Sequence, residues 1–143
     1  MTGEPAVFES SSRRILPLLE KRTSYFWVGG SEGQLLIARC ERCHRYQHPP
    51  FERCAECGHD VLTPSSVSGR GRVATFTINH EAWSPDVAVP FVFAAVELTE
   101  QAGLYVFSNV LGPAEAVRIG MPVSVCFERH DDIFIPLFRP DGS

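Results

Sequence analysis

The sequence has no surplus of positive charge. Its 143 residues contain 13 Lys and Arg against 17 Asp and Glu, which gives a formal net charge of -4. Neutralising a phosphate backbone requires clustered cations, and this neutralisation supplies most of the non-specific affinity for nucleic acids. We therefore expect no general DNA or RNA binding.

Long hydrophobic runs are also missing. No stretch approaches the roughly 18 apolar residues of a membrane-spanning helix, and the longest candidates are interrupted by Pro90, Gly103 and Gly112. The N-terminal residues likewise show no continuous apolar run of the kind that a signal peptide needs. We expect a cytoplasmic protein without a membrane partner.

Glycine and proline are plentiful, with eleven of each. They divide the chain into short segments, which favours strands and turns over long helices. The hydrophobic fraction of 44% is enough for one modest core with a small satellite. The composition therefore predicts a mainly β protein.

Patterning divides the chain into a leader over residues 1–34, a cysteine segment over 35–63 and a strand-rich segment over 64–143. In the leader, the apolar residues between Ile15 and Leu19 have helical spacing, which predicts short helices. In the last segment, apolar runs predict five strands, a number typical of an OB-fold barrel. These strands are expected over residues 73–78, 91–98, 104–111, 123–127 and 133–138.

Four of the five cysteines form two Cys-x-x-Cys pairs, Cys40 with Cys43 and Cys54 with Cys57. Each pair can wrap one side of a metal ion, and the ten residues between the pairs allow a hairpin that brings them together. Four thiolates complete a tetrahedral shell suited to zinc and leave no position for a water, so the metal is predicted to be structural. Iron uses the same ligands, and the sequence leaves it open.

For the other titratable residues, the sequence favours structural or surface roles over chemical ones. Cys126 lies in a predicted strand, where a structural role is favoured over a nucleophilic one. Asp131 and Asp132 are expected to form a turn. The histidines beside the cysteines are surplus to a four-cysteine shell and are predicted to have hydrogen-bonding or surface roles: His44, His48 and His59.

Two groups are candidates for contact with a partner or with coenzyme A. The adjacent aromatic residues Tyr25, Phe26 and Trp27 cannot be buried within the short leader, so they either cover the barrel or dock on another protein. Arg70 and Arg72 alternate with glycines, which fits either an ordinary strand start or contact with the phosphates of coenzyme A.

The connection over residues 80–90 is a further candidate because it is long and contains Trp83. Long ordered loops often carry binding residues. The alternative is a surface loop pinned by Trp83 lying on the barrel.

The sequence over residues 23–139 resembles a family of zinc-ribbon and OB-fold proteins associated with acyl-CoA enzymes, formerly a domain of unknown function. Several short stretches in the same order carry the resemblance: Phe26-Trp27, Gly33-Gln34-Leu35, His48-Pro49-Pro50, Gly69-Arg70-Gly71-Arg72-Val73, Pro90-Phe91-Val92 and Ile119-Gly120-Met121-Pro122-Val123. Gly29 and Gly30 depart from the family, whose members tend to have a better helix former there.

The resemblance implies a helical leader, a rubredoxin-like ribbon and an OB barrel, encoded beside thiolase-like or hydratase partners. It is a resemblance to the small subunits of thiolase-like aldolases and MaoC-type hydratases that shorten steroid side chains in actinobacteria. Activity would then belong to a hetero-oligomer, with catalytic groups supplied by the partner.

We therefore expect a non-catalytic subunit of a thiolase-like aldolase that performs retro-aldol cleavage of a steroid side-chain acyl-CoA in cholesterol degradation. The sequence shows no catalytic triad or spaced carboxylate pair of its own. Accessory subunits of an acetyl-CoA acetyltransferase or an enoyl-CoA hydratase are alternatives. Two alternatives belong to other classes of protein. The chain could be a single-stranded nucleic-acid binder with an OB-fold, or a free-standing thioesterase or hydratase.

Overall fold

The computed structural model describes residues 7–10 and 14–141. Within these ranges it contains one short helix, α1 (Ser24–Val28), two 3-10 turns (Gly29–Glu32 and Ala114–Ala116) and nine strands. The strands are β1 (Val7–Glu9), β2 (Leu35–Cys40), β3 (Tyr46–Gln47), β4 (Leu62–Val67), β5 (Arg70–Asn79), β6 (Phe91–Leu98), β7 (Tyr105–Val110), β8 (Pro122–His130) and β9 (Ile133–Pro140). The mainly β prediction is confirmed. No helix in the described part has the length and apolar character needed to span a membrane.

Strands β5 to β9 form a closed five-stranded barrel. Antiparallel pairing joins β5 to β6, β6 to β7, β8 to β9 and β5 to β8, and a parallel contact between Val110 and Phe138 closes the ring. Side chains alternate between the interior and the outer surface, so Val92 and Ala94 are buried whereas Phe93 is exposed. The predicted OB-fold barrel is confirmed.

The ribbon is a three-stranded antiparallel sheet with β2 between β3 and β4. It packs directly on the barrel, because Leu35 and Ile37 of β2 belong to the same buried cluster as the barrel interior. Tyr46 and Gln101 add two reciprocal hydrogen bonds, in which the Tyr46 N–H donates to Oε1 (2.8 Å) and Nε2 donates to the Tyr46 carbonyl (2.9 Å). The segment boundary predicted between residues 63 and 64 falls inside β4.

The described part of the leader contains little helix. Residues 14–20 contain no helix, so the helical prediction over Ile15–Leu19 is wrong. Pro17 disfavours helical backbone at the residue before it, and this restriction outweighs the helical spacing of the apolar side chains. Strand β1, which was not predicted, pairs in parallel with β8 and aligns Val7 with Phe127.

The aromatic residues of α1 cover the barrel. Phe26 is buried, with its ring 4.8 Å from the Trp27 ring and 4.5 Å from the His48 ring, measured between centroids. Tyr25 and Trp27 are half-buried against the same cluster. Contact of Tyr25, Phe26 or Trp27 with a partner stays a prediction, and only Tyr25 and Trp27 keep a substantial exposed edge for it.

Candidate functional site

The four cysteines predicted as metal ligands converge at the tip of the ribbon. All four Sγ atoms lie within 4.8 Å of one another. The Sγ atoms of Cys40 and Cys57 are 3.5 Å apart, as are those of Cys43 and Cys54. Tetrahedral zinc with Zn–S bonds of about 2.3 Å requires sulfur–sulfur distances of about 3.8 Å. The cluster therefore fits one zinc ion.

Two equivalent turns present the cysteines. In each turn the residue after the second cysteine has left-handed backbone, with φ 68° at His44 and 78° at Gly58. The N–H of His44 donates to the Cys40 carbonyl (3.0 Å), and the N–H of Gly58 donates to the Cys54 carbonyl (2.9 Å). Each turn thereby aims both of its sulfurs at the same point, and His44 shapes the first turn.

Without a metal ion, the four thiols cannot all be ionised. Burial opposes ionisation of Cys40, but the N–H groups of Cys43 and Arg42, each 3.4 Å from its Sγ, outweigh burial and lower its pKa to about 6. At Cys43 the Arg45 N–H lowers the pKa, yet burial and the neighbouring sulfurs dominate and raise it to about 12. Sulfurs this close cannot all carry negative charge by themselves. Zinc supplies the two positive charges that allow four thiolates.

His48 acts in packing and does not belong to the four-cysteine cluster. Its ring stacks on Phe26, and burial lowers its pKa to about 4, so the imidazole is neutral at physiological pH. Its Nδ1 is buried without a hydrogen-bond partner. His48 therefore links the ribbon to α1 as an aromatic ring.

The candidate coenzyme A residues do not form a single site. Arg70 lies 3.9 Å from Asp141, and Arg72 lies opposite Glu97 in the β5–β6 register. Strand β5 has ten residues, about 33 Å of extended chain, so the arginines at its start and the loop after its end lie at opposite ends of the barrel. Trp83 in that loop is largely exposed, so it does not pin the loop to the barrel. Roles for Arg70, Arg72 and Trp83 in binding stay predictions.

A buried carboxylate on β8 was not among the predicted site residues. Glu128 accepts a hydrogen bond from Arg14 Nε (2.7 Å), and its Oε1 lies 2.8 Å from His130 Nε2. Burial favours the neutral acid, but hydrogen bonds from Arg14 and His130 and the charge of Arg14 outweigh it and hold the pKa of Glu128 below its ordinary value. The ionised carboxylate ties the leader to the barrel. The signal that could have indicated this buried carboxylate is the presence of an acidic residue within an otherwise apolar strand.

Cys126 is not an activated nucleophile for this carboxylate–histidine pair. Cys126 lies on the same face of β8, but four residues of strand, about 13 Å, separate it from His130. Burial raises the pKa of the Cys126 thiol; Arg139 lowers it less, and Glu128 raises it further. The thiol is therefore protonated at neutral pH, as a structural cysteine should be.

Replacement of Glu128 by glutamine should cost about 2 kcal/mol of stability at pH 7, because Arg14 loses a charged partner. A depressed carboxyl pKa stabilises the fold above the pKa of the unfolded chain, and this stabilisation is lost as pH falls through the folded value. We therefore expect the difference in unfolding free energy between wild type and Glu128→Gln to shrink below about pH 4.5, the ordinary pKa of the side chain.

Urea unfolding at a series of pH values measures this difference. The exposed Glu115 provides the matched control, since Glu115→Gln should follow the wild type at every pH. Zinc is also released in acid, so only the difference between the proteins is informative. A wild-type and a Glu128→Gln curve that stay parallel down to pH 3 would contradict the assigned role of Glu128.

A ribbon with a closed four-cysteine metal site, packed on an OB barrel, defines the class of this protein. Residues 27–63 match the rubredoxin-like zinc ribbon domain of ChsH2, and residues 65–128 match the C-terminal OB-fold domain of ChsH2. The chain belongs to this ChsH2 family. The predicted structural zinc and the resemblance to the acyl-CoA-associated family are both confirmed, and coordination of the zinc by the four cysteines stays a prediction.

Two curated relatives are hydratase subunits by name. The chain is 31% identical over 126 residues to the "Probable enoyl-CoA hydratase alpha subunit" of Thermomonospora curvata, covering 87% of this chain and 39% of the relative. It is 32% identical over 126 residues to the "3-oxo-4,17-pregnadiene-20-carboxyl-CoA hydratase alpha subunit" of Mycobacterium tuberculosis, covering 87% and 40%. The chain thus spans about two fifths of the length of these relatives.

Solved structures show the same architecture. A chain of the Ltp2-ChsH2(DUF35) aldolase superimposes with a TM-score of 0.79 at 29% identity, covering 89% of this chain and 100% of that one. A Sulfolobus solfataricus protein of the DUF35 family, of unknown function, has a TM-score of 0.60 at 15% identity, covering 85% and 86%. The second likeness concerns the fold alone.

Proposed function

We propose that this chain is a non-catalytic accessory subunit of a heteromeric acyl-CoA enzyme, in complex with a thiolase-like aldolase. The observation that carries the proposal is the likeness to a chain of the Ltp2-ChsH2(DUF35) aldolase, all of which this chain covers. In the proposed complex, the thiolase-like subunit supplies the catalytic acid, base and nucleophile. The present chain stabilises that subunit.

The chemistry of the chain supports an accessory role. The four-cysteine zinc site has no open position for substrate or water. Glu128 is held by Arg14, and burial keeps Cys126 protonated. In our proposal these groups serve structure, and turnover requires a second subunit.

The proposed reaction is retro-aldol cleavage of a steroid side-chain acyl-CoA, as part of cholesterol degradation in the cytoplasm. The bond between the α- and β-carbons of a β-hydroxyacyl-CoA breaks, the hydroxyl carbon loses its proton to a base and becomes a ketone, and the α-carbon takes up a proton to leave as a shorter acyl-CoA. The name of the Mycobacterium tuberculosis relative includes a pregnadiene carboxyl-CoA, which supports a steroid substrate. Arg70 and Arg72, or Trp83, are the proposed contacts to the acyl-CoA.

A second candidate is an accessory role in an enoyl-CoA hydratase. The names of both curated relatives favour it, although the chain matches only 39% and 40% of their lengths. The two candidates differ in the partner and in the reaction, so one set of assays separates them.

The test is co-expression with a thiolase-like protein encoded in the same genome, followed by purification and assay with a β-hydroxyacyl-CoA. We expect a stable complex that releases a ketone and a shorter acyl-CoA, and no turnover by the isolated chain. Preferential pairing with a MaoC-type protein, with hydration of an enoyl-CoA, would favour the second candidate. Turnover of an acyl-CoA by the isolated chain would overturn both.

A further inference from the structure

The outer face of the barrel carries an exposed aromatic pair. Phe93 on β6 and Phe107 on β7 are stacked with ring centroids 6.2 Å apart and an interplanar angle of 13°. Phe93 is 46% exposed and Phe107 is 64% exposed. Large aromatic side chains with this exposure are costly to leave in water and typical of binding surfaces.

The apolar surface continues from this pair towards the ribbon. Phe107 lines a groove of about 550 Å³ together with Tyr105, which is 39% exposed, and Leu18 of the leader, which is 83% exposed. Pro49 of the ribbon forms part of the same groove. We call the four exposed side chains the aromatic face: Leu18, Phe93, Tyr105 and Phe107.

The size of the aromatic face fits a protein interface. A fully exposed aromatic side chain presents about 200 Å², so the exposed fractions of the three rings leave about 300 Å², and Leu18 brings the apolar surface to about 400 Å². A standard interface buries about 800 Å² on each partner, of which about 450 Å² is apolar. The aromatic face therefore supplies nearly the whole apolar part of one such interface.

Charge in the groove disfavours a nucleic-acid ligand. Among the described residues, the lining of the groove contains Glu20 and neither Lys nor Arg. Stacked aromatic rings bind single-stranded nucleic acid when cations nearby follow the phosphates. Depletion of charge around an aromatic centre is instead typical of the core of a protein–protein interface.

We propose that the aromatic face is the surface through which this chain docks on its thiolase-like subunit. This inference rests on the proposed function, which supplies the partner. A second copy of the chain is disfavoured as occupant, because each copy carries a formal net charge of -4. The docked partner covers the stacked rings of Phe93 and Phe107.

The test uses the complex of this chain with the thiolase-like subunit and measures the dissociation constant by calorimetry. The double variant Phe93→Asp/Phe107→Asp should bind at least about 100-fold more weakly, because two charges would be buried at the centre of the interface. Ile119→Asp is the matched control, since Ile119 is 68% exposed on the connection before β8, and it should bind within threefold of wild type.

A further variant keeps the test valid if the double variant does not fold. Leu18 lies outside every helix and strand, so its replacement should leave the fold intact. The variant Leu18→Asp should therefore weaken binding about tenfold without loss of zinc or of the unfolding transition. Melting curves and zinc content of each variant establish which ones remain folded.

Three outcomes would overturn the proposal. If wild type forms the complex and the folded variants bind equally well, the docking surface is wrong while the proposed function stands. If wild type forms no complex, the proposed function itself fails and the surface loses its partner. If the variants instead abolish dimerisation of the isolated chain, or its binding to a labelled single-stranded oligonucleotide, the occupant is a second copy or a nucleic acid.

Discussion

Cys54→Ala is expected to abolish zinc binding and unfold the ribbon. Cys54 is buried, and its removal opens the four-thiolate shell. Structural zinc contributes on the order of 10 kcal/mol to the folding of small zinc domains. Strand β3 has only two residues, so the loop between the cysteine pairs has little pairing to hold it without the metal. Elemental analysis should show zinc falling from about one ion per chain to near zero.

Cys126→Ala is the matched control for this variant. Cys126 is buried on β8, outside the metal cluster, so its replacement should retain full zinc content and cost about 1 to 2 kcal/mol in packing. Retention of zinc by Cys54→Ala would contradict the assignment of the ligands. Iron in place of zinc in freshly prepared wild type would preserve the ligand set and correct the metal.

Gly30→Ala should destabilise the protein by about 3 kcal/mol. A Cβ atom at residue 30 would lie 2.5 Å from the Cβ of Phe134 and 2.7 Å from Cδ1 of Phe127. Phe127 is fully buried in the barrel interior, so its ring cannot move away without further displacements. Chemical denaturation at neutral pH measures the loss as a lower midpoint with an unchanged slope.

Gly112→Ala is the control for the loss of a glycine alone. Gly112 has a φ of 97°, and a methyl group added at its Cα would meet no atom within 4 Å, so its replacement introduces backbone strain without a clash. We expect a cost of about 1 kcal/mol. If Gly30→Ala is as stable as wild type, the close approach of the 3-10 turn to Phe127 and Phe134 is wrong.

The predictable features of this protein have local signals in the sequence. The spacing of the cysteine pairs fixes a four-thiolate site, because each Cys-x-x-Cys turn is complete within a few residues. Apolar runs, which alternate with polar residues in the first strand, located all five barrel strands, since these patterns are also local. Asp131 and Asp132 form the predicted turn between β8 and β9, with a φ of 58° at Asp131.

Features that depend on distant residues escaped prediction. Arg14 and Glu128 are 114 positions apart, and nothing near either residue indicates the other. Gly30, which the family comparison made a weak point of the leader, is required because two phenylalanine side chains approach it from β8 and β9. Pro17 disfavours helical backbone in the leader, although the apolar residues there have helical spacing. The aromatic face combines the leader with β6 and β7, so no single segment reveals it.

The shared interior of ribbon and barrel limits how this chain can be recombined. Leu35 and Ile37 are contributed by the ribbon but are buried in one cluster with Val73 and Val123 of the barrel. Exchanging ribbons between family members therefore also replaces residues of the barrel's hydrophobic core, together with the metal ligands. A functional chimaera needs compensating changes on both sides of the junction, and a protease cut at Ser68 should release no fragment that folds independently.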